Sequence, residues 1–288
     1  MKRLVIAAAL ALGTGPALAI DFGKIIDLGR QVATQPSAKE FSQEDEIALG
    51  EAATASFLGA SPLHPDASLQ RYVNRVGRWI ALHSDRPDLP WTFSVIDTET
   101  INAFALPGGS IIVSSGLLKR LNSEAELAGV LAHEIQHVLH RDATRAILRQ
   151  ASTAVLVAAL LGDVSGVLAF GVQSARTLGD FRHSRDAERA ADHDGLAMLQ
   201  GAGVDPAGML AFFRAMEKLE GTQPAIAQYM STHPASSERL QALSAAAAAG
   251  PHAPGRLLAG YDWSDIRKIC GERARSARER EPAAPASR

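Results

Sequence analysis

Two histidines four residues apart, with a glutamate directly after the first, stand near the middle of the chain: His133, Glu134 and His137. Residues four apart on an α-helix lie on the same face, so both imidazoles could bind one zinc ion at about 2.0–2.1 Å. Glu134 would project beside the ion and could take a proton from a water molecule held there. The H-E-x-x-H pattern therefore predicts zinc-assisted hydrolysis. The alternative is a pair of surface histidines that flank a glutamate by chance.

The residues around this motif predict the helix that its geometry requires. Ser123 and Glu126 have the S-x-x-E spacing of a capping box, which marks a helix N-terminus. Apolar residues then recur at helical spacing, at Leu127, Val130, Leu131, Val138 and Leu139. One face of this helix is therefore expected to contact a core.

A catalytic zinc site needs a third protein ligand and keeps its fourth position open. A metzincin would place Gly and then His after the second histidine, but this chain has His140 and Ala143 at those positions. A glutamate on a later helix is the alternative, and Glu188 is the candidate. Asp192 shares its helical face and could accept a hydrogen bond from a ligand histidine. By themselves, the two acids also fit an ordinary solvated face.

Further motifs accompany H-E-x-x-H in a fixed order. They are Asn102-Ala103-Phe104-Ala105-Leu106-Pro107-Gly108-Gly109 upstream, Glu188-x-x-x-Asp192 downstream, then Ala202-Gly203-Val204-Asp205-Pro206 and Thr232-His233-Pro234. Through these residues the chain resembles the HtpX and CAAX-prenyl-protease type of zinc metalloendopeptidase over about residues 44–243. Within that type it resembles the soluble periplasmic members of the BepA and LoiP kind. The resemblance implies one zinc ion per chain, bound by His133, His137 and Glu188, with Glu134 as a catalytic residue.

The resemblance also implies roles for residues outside the zinc ligands. A strand beside a catalytic helix can pair with an extended substrate, so Asn102 and Ala105 would lie near the cleaved bond. From the residues alone, a plain interior strand fits this segment equally well. His233 would bind the substrate carbonyl or the developing oxyanion, or cap the zinc at rest; the alternative is a histidine that supports its turn. Relatives often have histidine where this chain has Asp142.

The remaining histidines and two arginines have simpler expected roles. His140 could touch the edge of the site without replacing Glu188. Arg185 and Arg239 are expected to form structural ion pairs near the site. Five other histidines are expected at the surface or on helices: His64, His83, His183, His193 and His252.

Small strands followed by the metal-binding helix favour an α+β, mostly helical class. The predicted architecture is zincin-like, of the gluzincin kind, with a small antiparallel sheet beside that helix. Three extended pieces are predicted at 91–97, 102–106 and 110–114, the last two joined by Pro107-Gly108-Gly109. The other predicted helices are 43–58, 69–83, 186–201, 206–220 and 237–249.

The chain begins with the features of a secretory signal peptide. Basic residues at the start precede a short apolar run, too short to span a bilayer, and an A-x-A site at Ala17-Leu18-Ala19. A periplasmic location follows from this reading. The expected divisions are the signal peptide (1–19), an N-terminal segment and linker (20–40), a metallopeptidase domain (41–270) and a disordered tail (271–288).

Charge and cysteine content exclude some classes of protein. The chain has 29 basic and 31 acidic residues; without Lys2 and Arg3, 27 basic residues remain, a mild negative charge that argues against a nucleic-acid partner. Cys270 is the only cysteine, so no internal disulfide is expected. The apolar segment 151–172 is predicted as a buried helical hairpin, or as a mobile lid or peripheral membrane contact that gates the site over 151–180.

These observations favour a zinc metalloendopeptidase that cleaves periplasmic or outer-membrane proteins in envelope quality control. Its expected substrates are unfolded or misassembled envelope proteins. Two alternatives stay open: a chaperone or assembly factor with secondary or latent proteolysis, and a protein whose zinc is structural.

Overall fold

Helices and one small sheet make up the part of the chain that the computed structural model describes: residues 41–150, 182–219, 226–234, 237–249, 263–266, 268 and 269. The predicted α+β, mostly helical class is confirmed. The expected signal peptide (1–19), N-terminal segment (20–40), apolar segment (151–172) and tail (271–288) lie outside the described residues, as does Cys270.

The helices and strands lie within two residues of the predicted bounds. The helices are α1 (Gln43–Ala60), α2 (Ala67–Ala81), α3 (Ser115–Leu118), α4 (Glu124–Leu139), α5 (Asp142–Gln150), α6 (Arg185–Gly201), α7 (Ala207–Leu219), α8 (Ala227–Thr232) and α9 (Ser237–Ala249). The strands are β1 (Thr92–Ile96), β2 (Ala103–Leu106) and β3 (Ser110–Ser114). Helices α3, α5 and α8 are additional to the predicted elements.

Serine caps begin the two helices that matter most for the site. The Ser123 hydroxyl accepts the Glu126 N–H at the start of α4, and the Ser184 hydroxyl accepts the Ala187 N–H at the start of α6. The Glu126 carboxylate accepts the Asn122 N–H at 2.8 Å, so the glutamate of the capping box binds the residue before the cap. Both helices therefore begin at residues that satisfy their first free N–H groups.

The sheet has the order β1-β3-β2. Strands β2 and β3 are antiparallel, as predicted, but β1 and β3 are parallel, so the prediction of an antiparallel sheet is wrong for that pair. The hairpin places β3 between the other two strands. Because β3 runs opposite to β2, and β1 also runs opposite to β2, β3 must run parallel to β1. Strand β2 is left at an edge of the sheet.

The β2–β3 turn packs directly on α1. Gly108 has a φ of 74°, which favours glycine, and a Cβ there would lie 2.8 Å from the Ile47 Cα. A Cβ on Gly50 would lie 1.9 Å from the Pro107 carbonyl oxygen. Two glycines therefore allow the turn to contact the α1 backbone, which holds the edge strand in place.

Helix α4 lies at the centre of the core, between α6 and α7. A Cβ on Gly129 of α4 would lie 2.5 Å from the Met209 Cα of α7, and one on Gly195 of α6 would lie 3.3 Å from the Ala132 carbonyl oxygen. These close approaches bring the α4 histidines opposite Glu188. In the described part of the chain, no helix combines the length and apolar character needed to cross a bilayer.

Candidate metal centre

Four buried side chains meet beside α4: His133, His137, Glu188 and His233, called here the four-residue cluster. One nitrogen or oxygen from each lies within 4.8 Å of the others. The two α4 imidazoles approach with Nε2 atoms 3.1 Å apart. The Glu188 carboxylate oxygens lie 3.5 Å from the His133 Nε2 and 3.4 Å from the His137 Nε2. The structure thus brings together the three residues predicted as ligands.

Each α4 imidazole has its own carboxylate on the side away from the cluster. The His133 Nδ1 lies 3.0 Å from Asp192 and the His137 Nδ1 lies 2.8 Å from Asp142. The His137 contact is a hydrogen bond and assigns a proton to that Nδ1, whereas Asp192 lies close to the His133 Nδ1 without hydrogen-bond geometry. Both imidazoles turn their Nε2 toward the cluster. Asp192 was predicted for this position.

Asp142 is a residue that the sequence reasoning missed. It lies five residues after His137, so helical spacing gives no reason to pair the two. Just after the end of α4, Arg141 has a φ of 58°, in the left-handed region. This turn of the backbone brings Asp142 back to His137. The Arg141 guanidinium lies 3.1 Å from buried Glu46 of α1, which holds the turn. The only signal in the sequence was an acid close after the motif.

Arg239 of α9 joins the two acids of α6. It donates from Nε to Asp192 at 2.6 Å and from Nη2 to the other Asp192 oxygen at 2.8 Å, while its Nη1 lies 2.6 Å from Glu188. Burial disfavours the charged form of Asp192, but its contacts with Arg239 and His133 outweigh it and lower its pKa. The expected ion pairing of Arg239 is confirmed. Arg185 forms no ion pair with any other described residue.

Glu134 is fully buried, and within the described part neither of its oxygens has a hydrogen-bond partner. The His233 Nε2 lies 3.5 Å from the Glu134 Oε1. A buried carboxylate without partners is energetically unfavourable and calls for an explanation. A base that must receive a proton from a reacting group explains it, because such a base keeps its oxygens uncommitted.

The electrostatics of the cluster favour a cation. Burial opposes the charged form of His137, yet its bonds to Asp142 and Glu188 raise the pKa of this imidazole to about 10. Burial likewise opposes ionisation of Glu188, but the neighbouring His233, His133 and His137 lower its pKa well below the usual range. Two Nε2 atoms 3.1 Å apart can share only one proton. The nitrogen and oxygen donors therefore fit a divalent metal ion, which would bind all the converging lone pairs.

His233 lies inside the cluster. Its Nδ1 is 3.1 Å from a Glu188 oxygen and 3.3 Å from the His133 Nε2. Its ring stacks on that of buried Tyr229, with centroids 4.8 Å apart. The imidazole therefore occupies the place opposite the predicted ligands.

Two histidines are not where the sequence reasoning placed them. His183 stacks on His137 with ring centroids 3.7 Å apart, and His64 is only 2% exposed, so the prediction of surface positions is wrong for both. His183 stands just before the cap of α6, and this proximity to the Glu188 helix was the available signal. His252 lies outside the described residues.

Residues in and beside strand β2 line two cavities, one of which is also lined by a residue of the cluster. Ala105 and Phe104 line one of about 520 Å³, together with His233. Asn102 and Phe104 line another of about 360 Å³. Both Asn102 and Ala105 are buried, and the Asn102 N–H donates to the Ser114 hydroxyl at 3.0 Å. Ala105 thus shares a cavity with His233 of the cluster, whereas Asn102 lines the other cavity.

Comparisons with known proteins identify similar chains. The chain is 29% identical over 252 residues to the beta-barrel assembly-enhancing protease of Escherichia coli, covering 83% of this chain and 51% of that protein. It is 37% identical over 172 residues to the mitochondrial metalloendopeptidase OMA1 of Schizosaccharomyces pombe, covering 59% and 50%. It is 33% identical over 181 residues to OMA1 of Arabidopsis thaliana, covering 63% and 36%. The chain thus spans about half the length of these relatives, or less.

The sequence profile of peptidase family M48 matches residues 67–247, well over half of the chain. The match contains α4, α6 and the loop with His233, so the whole four-residue cluster lies inside it. The resemblance seen in the short motifs is confirmed, as is the prediction of a metallopeptidase class. The chain belongs to peptidase family M48.

Proposed function

We propose that this chain is a zinc metalloendopeptidase that cleaves proteins of the bacterial envelope. One observation carries the proposal. Two imidazoles meet through Nε2 while a carboxylate lies within 3.0 Å of each Nδ1, and a carboxylate without hydrogen-bond partners, Glu134, lies beside them. A structural metal site would have no need of that uncommitted base.

His133, His137 and Glu188 are the residues that would hold the zinc, one ion per chain. Two histidines and one glutamate are a donor set that catalytic zinc takes in proteins. When bound, zinc supplies a Lewis acid that polarises a carbonyl group and lowers the pKa of water to about 7. His233 would cap this position at rest, as its distances to Glu188 and His133 allow.

The chain's own residues would carry the proton transfers. Glu134 takes a proton from the attacking water and returns it to the leaving amine. His233, whose Nε2 lies 3.5 Å from Glu134, moves from the resting position and donates a hydrogen bond to the substrate oxygen as negative charge develops. Asn102 and Ala105 would align the substrate backbone along β2.

The expected signal peptide supports a periplasmic location, with zinc acquired there. The name of the Escherichia coli relative, a beta-barrel assembly-enhancing protease, supports envelope proteins in unfolded or misassembled form as substrates. The same name favours a second candidate, an assembly factor with secondary proteolysis. The proposed function also includes a peripheral contact of residues 151–172 with the membrane.

Casein hydrolysis by the purified chain tests the proposal. We expect cleavage with zinc, loss of cleavage with a chelator, and recovery when zinc is returned. His133→Ala should be inactive, whereas His193→Ala, which removes an exposed histidine of α6, should keep wild-type activity. Cleavage that survives the chelator would refute the metallopeptidase. The assembly factor is distinguished by a Glu134→Gln variant that still aids substrate folding.

A further inference from the structure

The cavity of about 520 Å³ beside the metal centre has a cationic wall. It lies between α5 and the N-terminus of α6, and its lining includes Arg145, Arg149 and Arg182 as well as His233 of the cluster. Small side chains leave its floor open: Ala143, Ala146, Ala187 and Ala190. A side chain or chain end of a bound peptide could therefore enter it from the β2 side, where Ala105 lies.

Among the described residues that line this cavity, three arginines face two acids, Asp142 and Asp186. No carboxylate of the described residues pairs with Arg149 or Arg182, and both side chains are exposed. Asp142 lies 3.7 Å from Arg145, but its carboxylate is also hydrogen-bonded to the His137 Nδ1 at 2.8 Å. The other lining acid, Asp186, is paired with an arginine outside the cavity.

The N-terminus of α6 faces the cavity through Ser184 and Ala187, but Asp186 and Glu188 in its first turn offset the positive end of the helix dipole. The preference for an anion therefore rests on the arginines. Arginine forks also match the two oxygens of a carboxylate.

We propose that this arginine cavity binds a carboxylate of the substrate. The peptidase would then prefer peptides with Asp or Glu, or a free chain end, close to the cleaved bond. This inference rests on the proposed function and deepens it by naming a substrate feature. Long-range attraction to the same wall would also bring acidic, unfolded segments to the cleft.

Matched quenched-fluorescence peptides test the preference. One residue is varied among Glu, Gln and Lys and is placed in turn at three positions on each side of the cleaved bond, with both ends blocked. At one position we expect kcat/KM to be roughly five- to thirtyfold higher for Glu than for Gln, and lowest for Lys. A second arm compares the Gln peptide with a free or amidated C-terminus, which separates a chain-end carboxylate from a side chain.

Charge variants link the preference to the cavity. In Arg149→Gln/Arg182→Gln the Glu-to-Gln ratio should fall toward one, and in Arg149→Glu/Arg182→Glu the Lys peptide should become the better substrate. The matched control is Arg78→Glu/Arg120→Glu, which reverses two exposed arginines outside the cavity and should keep the wild-type ratio. Thermal unfolding of each variant checks that the fold is retained.

Binding provides a readout that does not depend on turnover. Fluorescence anisotropy with zinc-loaded Glu134→Gln should give the Glu or free-acid peptide a lower Kd than its neutral match, with a difference that shrinks at high salt. If neither carboxylate arm shows a preference, or if the preference persists in Arg149→Glu/Arg182→Glu, the cavity assignment is wrong while the proposed function stands. If no peptide is hydrolysed, the proposed function fails, and the binding arm still decides the assignment.

Discussion

The spacing of Glu134 and the two α4 histidines was enough to predict that they share one site, because they are neighbours within one helix. Asp142 could not be identified, because its contact with His137 depends on a left-handed turn at Arg141. His183 was missed for a similar reason, since its stacking on His137 joins two distant parts of the chain. Contacts within one helical turn follow from sequence, whereas contacts made by a chain reversal do not.

Glu134→Gln tests the base at the residue scale. The amide has nearly the same size but cannot accept a proton, so hydrolysis should fall by about 10²–10⁴-fold while the metal is retained. Peptide cleavage and metal content measured on the same preparation check both parts. Gln136→Ala, beside it on α4 and in contact with Met198, serves as a control that changes packing but should keep hydrolysis within a few-fold. Full activity in Glu134→Gln would contradict the assigned role.

Asp142→Asn and Asp192→Asn test the carboxylates behind the ligands. Each removes the negative charge that orients an imidazole, and zinc affinity should fall by about 10–100-fold. Competition with a fluorescent chelator measures the change. Asp194→Asn is the control, because Asp194 pairs with His140 at 2.9 Å outside the cluster. An unchanged affinity in both Asp142→Asn and Asp192→Asn would show that the carboxylates do not support the metal.

At the scale of elements, helical spacing predicted the helices that carry the site, and serine caps fixed where α4 and α6 begin. The strand order did not follow from the sequence. The pairing of β1 with β3 joins segments on either side of β2, and no local pattern in either strand states which partner it takes. The close contact between α4 and α7 could not be predicted either, because the sequence does not show which residue packs against Gly129.

Gly129→Ala tests that helix contact. The added methyl group would meet the Met209 backbone at 2.5 Å, which neither helix can relieve without moving. We expect the free energy of unfolding to fall by about 1–3 kcal/mol, as for other overpacked cores. Gly59→Ala in α1 is the matched control: nothing lies within 4 Å of its Cβ, so helix propensity alone should raise stability by up to about 1 kcal/mol. Urea unfolding measures both, and equal responses would contradict the packing described.

At the scale of the whole molecule, the metal centre joins segments that are far apart in sequence. The proposed ligands from α4 and α6 meet His233, and Arg239 of α9 contacts both acids of α6. The family match over residues 67–247 covers this whole assembly, so the motifs located the domain correctly. The order of motifs along the chain was therefore more informative about the fold than any single motif.

Metal removal should weaken the whole fold. Zinc that binds only the folded chain stabilises it by about 4 kcal/mol when free zinc is a thousandfold above Kd. A chelator should therefore lower the midpoint of thermal unfolding, and zinc should restore it. His133→Ala should show no such response, whereas exposed His193→Ala should respond as the wild type does. A chelator-insensitive wild type would mean that no metal links these segments.

The metal content of the purified chain tests the central claim most directly. After zinc loading and dialysis, elemental analysis should find one zinc per wild-type chain and one in Glu134→Gln. Glu188→Ala and His133→Ala should each retain far less than one, because each variant keeps only two of the three proposed ligands. A full zinc complement in Glu188→Ala, or none in the wild type, would contradict a metal centre built from α4 and α6.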